Sequence, residues 1–256
     1  METKKDLKLA VLIDADNVPY AHVKEMFEEI AKYGIPTFKR IYADWTKPTV
    51  SGWKKVLLEN AITPIQQYSY SVGKNASDSA LIIDAMDILY TGKVDGFCIV
   101  SSDSDFTRLA TRLREAGMKV IGIGEKKTLS PFITACDKFI YLEILKPDVA
   151  VEIKKNGKQS VKTGNPTTPS KNQPLSKIDP SIIRLFRDSV SDLEDENGWT
   201  FLGELGNLLL KKKPDFDPRN FGFPKMLPLI KSMNAFEIDV RESGKNNIKH
   251  IFIKKK

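Results

Sequence analysis

Two short apolar runs end abruptly in acid. Leu9-Ala-Val-Leu-Ile13 leads straight into Asp14-Ala-Asp16-Asn17, and Phe97-Cys-Ile-Val100 leads into Ser101-Ser-Asp103-Ser-Asp105. Runs of this length with no polar alternation suit strands buried on both faces, as in a parallel sheet. In open parallel sheets, ligands and chemistry gather outside the carboxyl ends of the strands, so acids that close two separate buried strands are placed to converge. Asp78 opens a third element, the helical run Ser79 to Tyr90.

The rest of the first half alternates in the same way. A helix is expected around Tyr20 to Tyr33, a strand around Thr37 to Ala43, a helix around Gly52 to Glu59 and a strand over Ile62 to Tyr68. After the helix from Asp78 come the strand Gly96 to Val100, the helix Phe106 to Ala116 with Gly117 as its C-terminal stop, and the strand Lys119 to Gly124. Such alternation predicts an α/β fold, a parallel sheet sandwiched by helices with right-handed crossovers. Ala150-Val-Glu-Ile153 is a candidate extra edge strand.

Gathered acids narrow the chemistry. Two carboxylates about 4 Å apart repel by roughly 4 kcal/mol at an effective dielectric of 20, so a positive charge is needed to offset them. No basic residue is interleaved within either acid motif, and every candidate ligand is an oxygen. Oxygen-only sites suit hard cations, which favours Mg²⁺ or Mn²⁺ over zinc, a metal that takes His or Cys. A cation so held generates a nucleophile from bound water and neutralises charge on a phosphodiester, so backbone hydrolysis of nucleic acid is the leading reaction class. Each acid has a plainer reading as a turn former or helix N-cap. Asp84 and Asp87 point away from Asp78 at 100° per residue, which suits a solvated or capping role.

Val11-Leu-Ile-Asp14-Ala-Asp-Asn17, Lys74-Asn-Ala-Ser-Asp78-Ser-Ala-Leu-Ile-Ile-Asp84 and Ser101-Ser-Asp-Ser-Asp-Phe106 resemble, in order, the three signature blocks of the NYN domain, a PIN-like ribonuclease family. The resemblance covers roughly residues 5 to 145. It implies a Mg²⁺- or Mn²⁺-dependent endoribonuclease in which Asp14, Asp78 and Asp103 hold metal, while Asn17 and Asp105 complete or orient that set. Asp84 matches a recurrent family acid, and with Asp16, Ser101 and Ser102 it is expected to stand behind the ligands. Some relatives are thought to act as regulators with little or no cleavage, so a non-cleaving RNA-binding protein on the same fold is the competing reading.

Lys146 to Lys177 turns to Pro, Thr, Ser, Asn, Gln, Gly and Lys, with few large apolar residues. The expected organisation is a nuclease domain over 1–148, a flexible basic linker over 149–177 and a small domain over 178–256. From Ile178 the order is three helices, Ile182 to Leu193, Leu202 to Leu210 and Pro224 to Met233, then strands Phe236 to Val240 and His250 to Ile253 around a Gly244-Lys-Asn-Asn247 turn. That order describes a winged helix of α+β type. Trp199-Thr-Phe-Leu202, Asp215-Phe-Asp-Pro-Arg-Asn-Phe-Gly222 and the two strands resemble the LOTUS, or OST-HTH, domain. That likeness implies an RNA partner or, in some members, a protein partner, and the pairing of the two modules is itself a known arrangement.

The net charge of +7 is uneven. Lys and Arg against Asp and Glu number 20 against 20 in residues 1–148, 6 against 1 in 149–177 and 14 against 12 in 178–256. A balanced first half beside a basic linker suits a nuclease that leaves phosphate attraction to flanking segments. Lys74, Arg108 and Lys126, by position, are candidates to meet phosphate near the acids. Lys211, Lys212 and Lys213 are candidates farther away, although cations at the end of a helix also pair with its dipole. Tyr42, Trp45, Tyr68 and Tyr70 are candidates to stack on bases or to pack against helices.

Two cysteines and two histidines, widely spaced, make neither a zinc motif nor a nucleophile–histidine pair. Asp14-Ala-Asp16 also begins the motif of haloacid dehalogenase phosphatases, with Asp14 as nucleophile, but Asn17-Val18 replaces the small-hydroxyl continuation. A phospho-acceptor receiver domain fails because its acceptor and partner lysine are not in place. No run has the form of a signal peptide or the length of a membrane span, so a cytoplasmic protein with no membrane partner is expected.

Overall fold

The computed structural model describes residues 6–68, 76–145, 174–243 and 248–256. Its larger sheet has six strands: β1 (Lys8–Asp14), β2 (Ile35–Ala43), β3 (Thr63–Gln66), β4 (Gly96–Val100), β5 (Lys119–Gly124) and β6 (Lys138–Tyr141). They stand in the order β3-β2-β1-β4-β5-β6, and every pairing is parallel. The chain winds outward from β1 on one side and then restarts at β4 on the other. The strand order therefore reverses between β1 and β4, and helices leaving in opposite directions open a crevice at the carboxyl ends of those two strands.

The apolar runs become central strands because both faces of the sheet are covered. Leu9, Val11 and Ile13 pack with Met26 and Ile30 of α1 (Val23–Ile30) and with Trp53 and Leu57 of α2 (Trp53–Asn60). Ala10 and Leu12 face the other way, into a cluster with Leu81, Ala85 and Ile88 of α3 (Ala76–Tyr90) and Leu109 and Leu113 of α4 (Thr107–Glu115). Strand periodicity sends alternate side chains to these two layers, and each buried aliphatic side chain contributes roughly 1.5–3 kcal/mol. Cys98 and Cys136 are free thiols buried in the two layers.

The helices and strands fall where the patterning predicts, with two additions. A short α5 (Ser130–Ala135) leads into β6, which takes the edge beside β5. The candidate edge strand at 150–153 lies outside the described residues, as does most of the expected linker. Among the described residues, no helix is long and apolar enough to cross a membrane.

The C-terminal domain has its own core. Helices α6 (Pro180–Ser191), α7 (Leu202–Lys212) and α8 (Met226–Met233) enclose Phe186, Leu205, Leu209, Leu229 and Ile230. They pack on an antiparallel sheet ordered β7 (Thr200–Phe201), β9 (Ile248–Lys255), β8 (Phe236–Ser243), the winged-helix arrangement with a short extra strand. Asp179 starts α6 firmly, its side chain accepting from the Ser181 and Ile182 backbone N–H groups ahead of Pro180 at the first turn. The turn at 244–247 is outside the described residues.

This domain is docked on the edge of the larger sheet. The Phe139 N–H of β6 donates to the Pro214 carbonyl (2.9 Å), and Tyr141 Oη donates to Asp215 Oδ2 (2.9 Å), so the otherwise open strand edge is covered. Arg219 forms a bidentate pair with Glu29 of α1 (2.8 and 2.9 Å) and also binds Asp217 (2.7 Å). Behind the domain boundary, Lys126 Nζ donates to the Leu175 carbonyl and Ser176 N–H donates to the Asn220 carbonyl, so the last residues of the expected linker are tied down.

Glu29 is almost fully buried, which by itself would raise its pKa, yet hydrogen bonds and charge from Arg219 and Lys32 lower it to about 2. The native state thus favours the carboxylate, and that contribution is complete above an ordinary value of 4.5 and is lost as pH falls through about 2. Arg219→Ala leaves Glu29 with Lys32 and Tyr33 but without its bidentate partner, so it is expected to cost roughly 1–3 kcal/mol near neutral pH. Urea melts should show this gap from wild type narrowing between about pH 4.5 and about pH 2; a gap independent of pH would contradict the pairing.

Candidate active site

Asp14 is the last residue of β1 and is 1% exposed. Three donors satisfy its carboxylate: the Asp16 backbone N–H (3.1 Å) at Oδ1, and Asn17 Nδ2 (2.7 Å) and Ser101 Oγ (2.7 Å) at Oδ2. Burial raises its pKa, and the Ser101 and Asn17 hydrogen bonds oppose that rise without cancelling it. Asn17 therefore orients Asp14 and holds its charge.

Ser101 joins the two acid motifs. Because Ile13 of β1 pairs with Val100 of β4, the next residues, Asp14 at the end of β1 and Ser101 just after β4, are neighbours. Ser101, fully buried, donates through Oγ to Asp14 and accepts the Asp103 N–H (3.0 Å). Asp103 then caps the 3-10 turn Ser104–Phe106, its Oδ1 accepting the Asp105 N–H (2.9 Å), while Phe106 is fully buried and anchors the turn. Ser102 accepts the Glu125 N–H (2.8 Å), fastening the same loop to the end of β5.

Asp78 arrives from α3. It sits in the first turn, not before it, because the helix begins at Ala76. Carboxylate oxygens of Asp78, Asp103 and Asp105 lie within 4.8 Å of one another. Asp14 is outside that set of three, yet after burial it is the largest influence raising Asp78, followed by Asp103, Asp105 and Asp16, and the result is a pKa of about 6. At an effective dielectric of 20, each ionised pair at this spacing repels by roughly 3 kcal/mol. Convergent and all oxygen, with Asp78 buried, Asp103 half-buried and Asp105 exposed, this donor set fits a hard divalent cation that keeps some of its water.

Other expected site residues are placed differently. Asp84, six residues after Asp78, is ion-paired with Arg40 and accepts from Tyr42 Oη, so it ties α3 to β2 and stands apart from the cluster. Tyr42 is fully buried across from Asp14 in the β1–β2 register, and Trp45 donates through Nε1 to the Ile65 carbonyl (2.9 Å); both pack, whereas Tyr68 is exposed. Asp16 is exposed and accepts from Ser77 Oγ (3.5 Å). Arg108 is exposed and paired with Glu115 (3.6 Å), and Lys126 reaches Leu175. Lys212 and Lys213 pair with Asp192 (2.5 Å) and Asp215 (3.0 Å), while Lys211 is exposed. Lys74 and Tyr70 lie outside the described residues.

Residues 8–143 match the family model of the NYN domain. The chain belongs to the NYN domain family. Residues 173–248 match the OST-HTH/LOTUS domain. An NYN domain marks a PIN-like nuclease fold, and its family is generally ribonucleolytic; LOTUS domains bind RNA. No curated protein matches the chain. Among solved structures, the chain is similar to a protein of unknown function from Vibrio parahaemolyticus, 22% identical over 54% of this chain and 94% of that one, with a TM-score of 0.44. A second similarity is to an uncharacterized protein from Nitrosomonas europaea, 25% identical over 38% of this chain and 92% of that one, with a TM-score of 0.30.

Two outcomes test the site's geometry in metal-free protein. The Asp78 carboxyl, followed by carbon NMR, should titrate near 6 and move down toward 3.8 in Asp103→Asn, since a neighbouring negative charge is removed; an unmoved titration would separate the two acids. Ser101→Ala should cost about 1–3 kcal/mol by leaving Asp14 and the Asp103 N–H short of a partner, measurable in thermal melts at neutral pH.

Proposed function

We propose that this NYN protein is a divalent-metal-dependent endoribonuclease. A nuclease domain over 1–148 would be joined through 149–177 to an RNA-binding domain over 178–256. The observation that carries the reading is the meeting of Asp78, Asp103 and Asp105 beside Asp14, from three separate parts of the chain, at the point where strand order reverses. Asp14, Asp78, Asp103 and Asp105 would hold Mg²⁺ or Mn²⁺. When bound, such an ion supplies an activated water and neutralises charge developing on the phosphodiester.

The chain's own residues prepare the site. Ser101 and Asn17 fix Asp14 by two short hydrogen bonds, so the carboxylate enters the reaction already oriented. The Asp103 cap fixes its loop by the bond to the Asp105 N–H. At Asp78, the raised pKa of about 6 leaves the carboxyl mostly ionised at neutral pH and mostly protonated below about 6, so loading of the site would displace a proton, and weaken, only as the medium turns mildly acidic. Burial of Asp14 and Asp78 excludes water from one side of the cluster and strengthens each electrostatic contact there. The two buried free thiols suit a reducing, cytoplasmic setting.

The test is cleavage of single-stranded and structured RNA by the full chain with Mg²⁺ or Mn²⁺. Wild type should cleave, chelation should abolish cleavage, and Asp14→Asn and Asp103→Asn should each lower the rate at least about a hundredfold, on the scale set for lost electrostatic stabilisation in a buried site. Equal cleavage by all three proteins would assign the activity to a contaminant. RNA binding by wild type with no cleavage under any metal would leave the non-cleaving regulator as the function.

A further inference from the structure

Where the C-terminal domain meets the sheet, the two leave a cleft of about 650 Å³ between them. Arg114, Lys119 and Lys138 line it from the nuclease side, and Lys211 and Lys212 line it from α7. Asp137 is the acid among these lining residues, and its charge is already engaged by Arg114 (3.2 Å) and Lys119 (3.8 Å). Ile121, Cys136 and Leu210 supply an apolar floor. Lys138 stands over the Tyr33 ring at 5.6 Å, and burial lowers its pKa. Arg114 and Lys119 are engaged with Asp137 and Lys212 with Asp192 (2.5 Å), which leaves Lys138 and Lys211 as the lining cations outside those pairs, and in a concavity with apolar walls their charge favours a multiply charged anion.

We propose that this inter-domain cleft is a phosphate-binding site, filled by the backbone of an RNA strand whose scissile bond lies elsewhere. The RNA source of the phosphate rests on the nuclease reading; the site itself rests on the cleft. Lys119 pairs across the sheet with Gly96, which pairs with Leu9, so the cleft lies at the opposite end of the strands from Asp14. Five residues of strand separate those levels, roughly 17 Å at about 3.3 Å per residue. An RNA held in both places would be gripped by the two domains together, and its grip would depend on their docking. Lysine and arginine recognise phosphate without reading base identity, so the added affinity would be insensitive to sequence.

The test uses the full chain in a chelator, so that binding is measured without cleavage. Labelled single-stranded RNA is titrated at several salt concentrations against wild type, Lys138→Gln/Lys211→Gln, Lys119→Gln/Lys211→Gln and the distant control Lys54→Gln, and inorganic pyrophosphate is titrated alone in parallel. Each double variant is expected to bind RNA about tenfold more weakly, and the slope of log affinity on log salt should flatten by about 1.4, at roughly 0.7 per lost contact on a single strand. The control should match wild type, and melting temperatures decide whether a double variant is folded; the second double variant keeps Lys138 in place. Loss confined to RNA assigns the cleft to the backbone. Pyrophosphate bound by wild type and lost in both double variants assigns it to a free phosphate-bearing ligand. Unchanged affinity and slope for both ligands in a folded double variant overturns the proposal. Should wild type cleave RNA while the double variants bind it undiminished, the nuclease reading stands and the cleft fails; should wild type cleave nothing while the double variants lose pyrophosphate, the reverse holds.

Discussion

Mutual repulsion among carboxylates is the constraint around which this molecule is arranged. Asp14, Asp78, Asp103 and Asp105 come from three distant segments and are brought together by the fold, at a cost of roughly 3 kcal/mol for each close ionised pair. The sheet supplies what makes that tolerable. Its two central strands are buried on both faces, so their carboxyl ends are rigidly adjacent, and the first residue after β4 is a serine whose hydroxyl serves both acid motifs at once. The charge that remains uncompensated is concentrated on Asp78, whose elevated pKa reports burial first and the four neighbouring acids second.

A second electrostatic arrangement holds the two domains in register. Buried Glu29 and half-buried Arg219 are partners 190 residues apart in the chain, and the bond between them is bidentate, which fixes orientation as well as proximity. With the Phe139 and Tyr141 contacts it seats the winged helix on the edge of the sheet, giving the cleft between the domains a definite shape. On the proposed function, RNA bound by a module docked in this way would reach the acid cluster from a set direction, whereas RNA on a free tether would search for it.

The sheet and the acid motifs were legible because their signals are local. Leu9 to Ile13 and Phe97 to Val100 are continuous apolar runs, and the aspartates follow directly. What escaped was either short or long-range. Ser130–Ala135 and Lys138–Tyr141 are six and four residues, too brief to show a period, so the sixth strand was not foreseen. Asp84 stands with Arg40 and Tyr42, and nothing at that position in the helix announces partners forty residues upstream. Arg219 is one of 40 basic residues, and its role depends on a fold that brings α1 beside it. Tyr42 looked available for stacking because it lies near a strand end, but the strand is internal and the ring is fully buried.

The most direct measurement of the central claim is manganese binding to the full chain at neutral pH, read by electron paramagnetic resonance. The account predicts that the free-ion signal is quenched by wild type and largely recovered in Asp78→Asn, because the oxygens of Asp78, Asp103 and Asp105 share one location. No uptake by wild type, or uptake unaltered by that substitution, would contradict it.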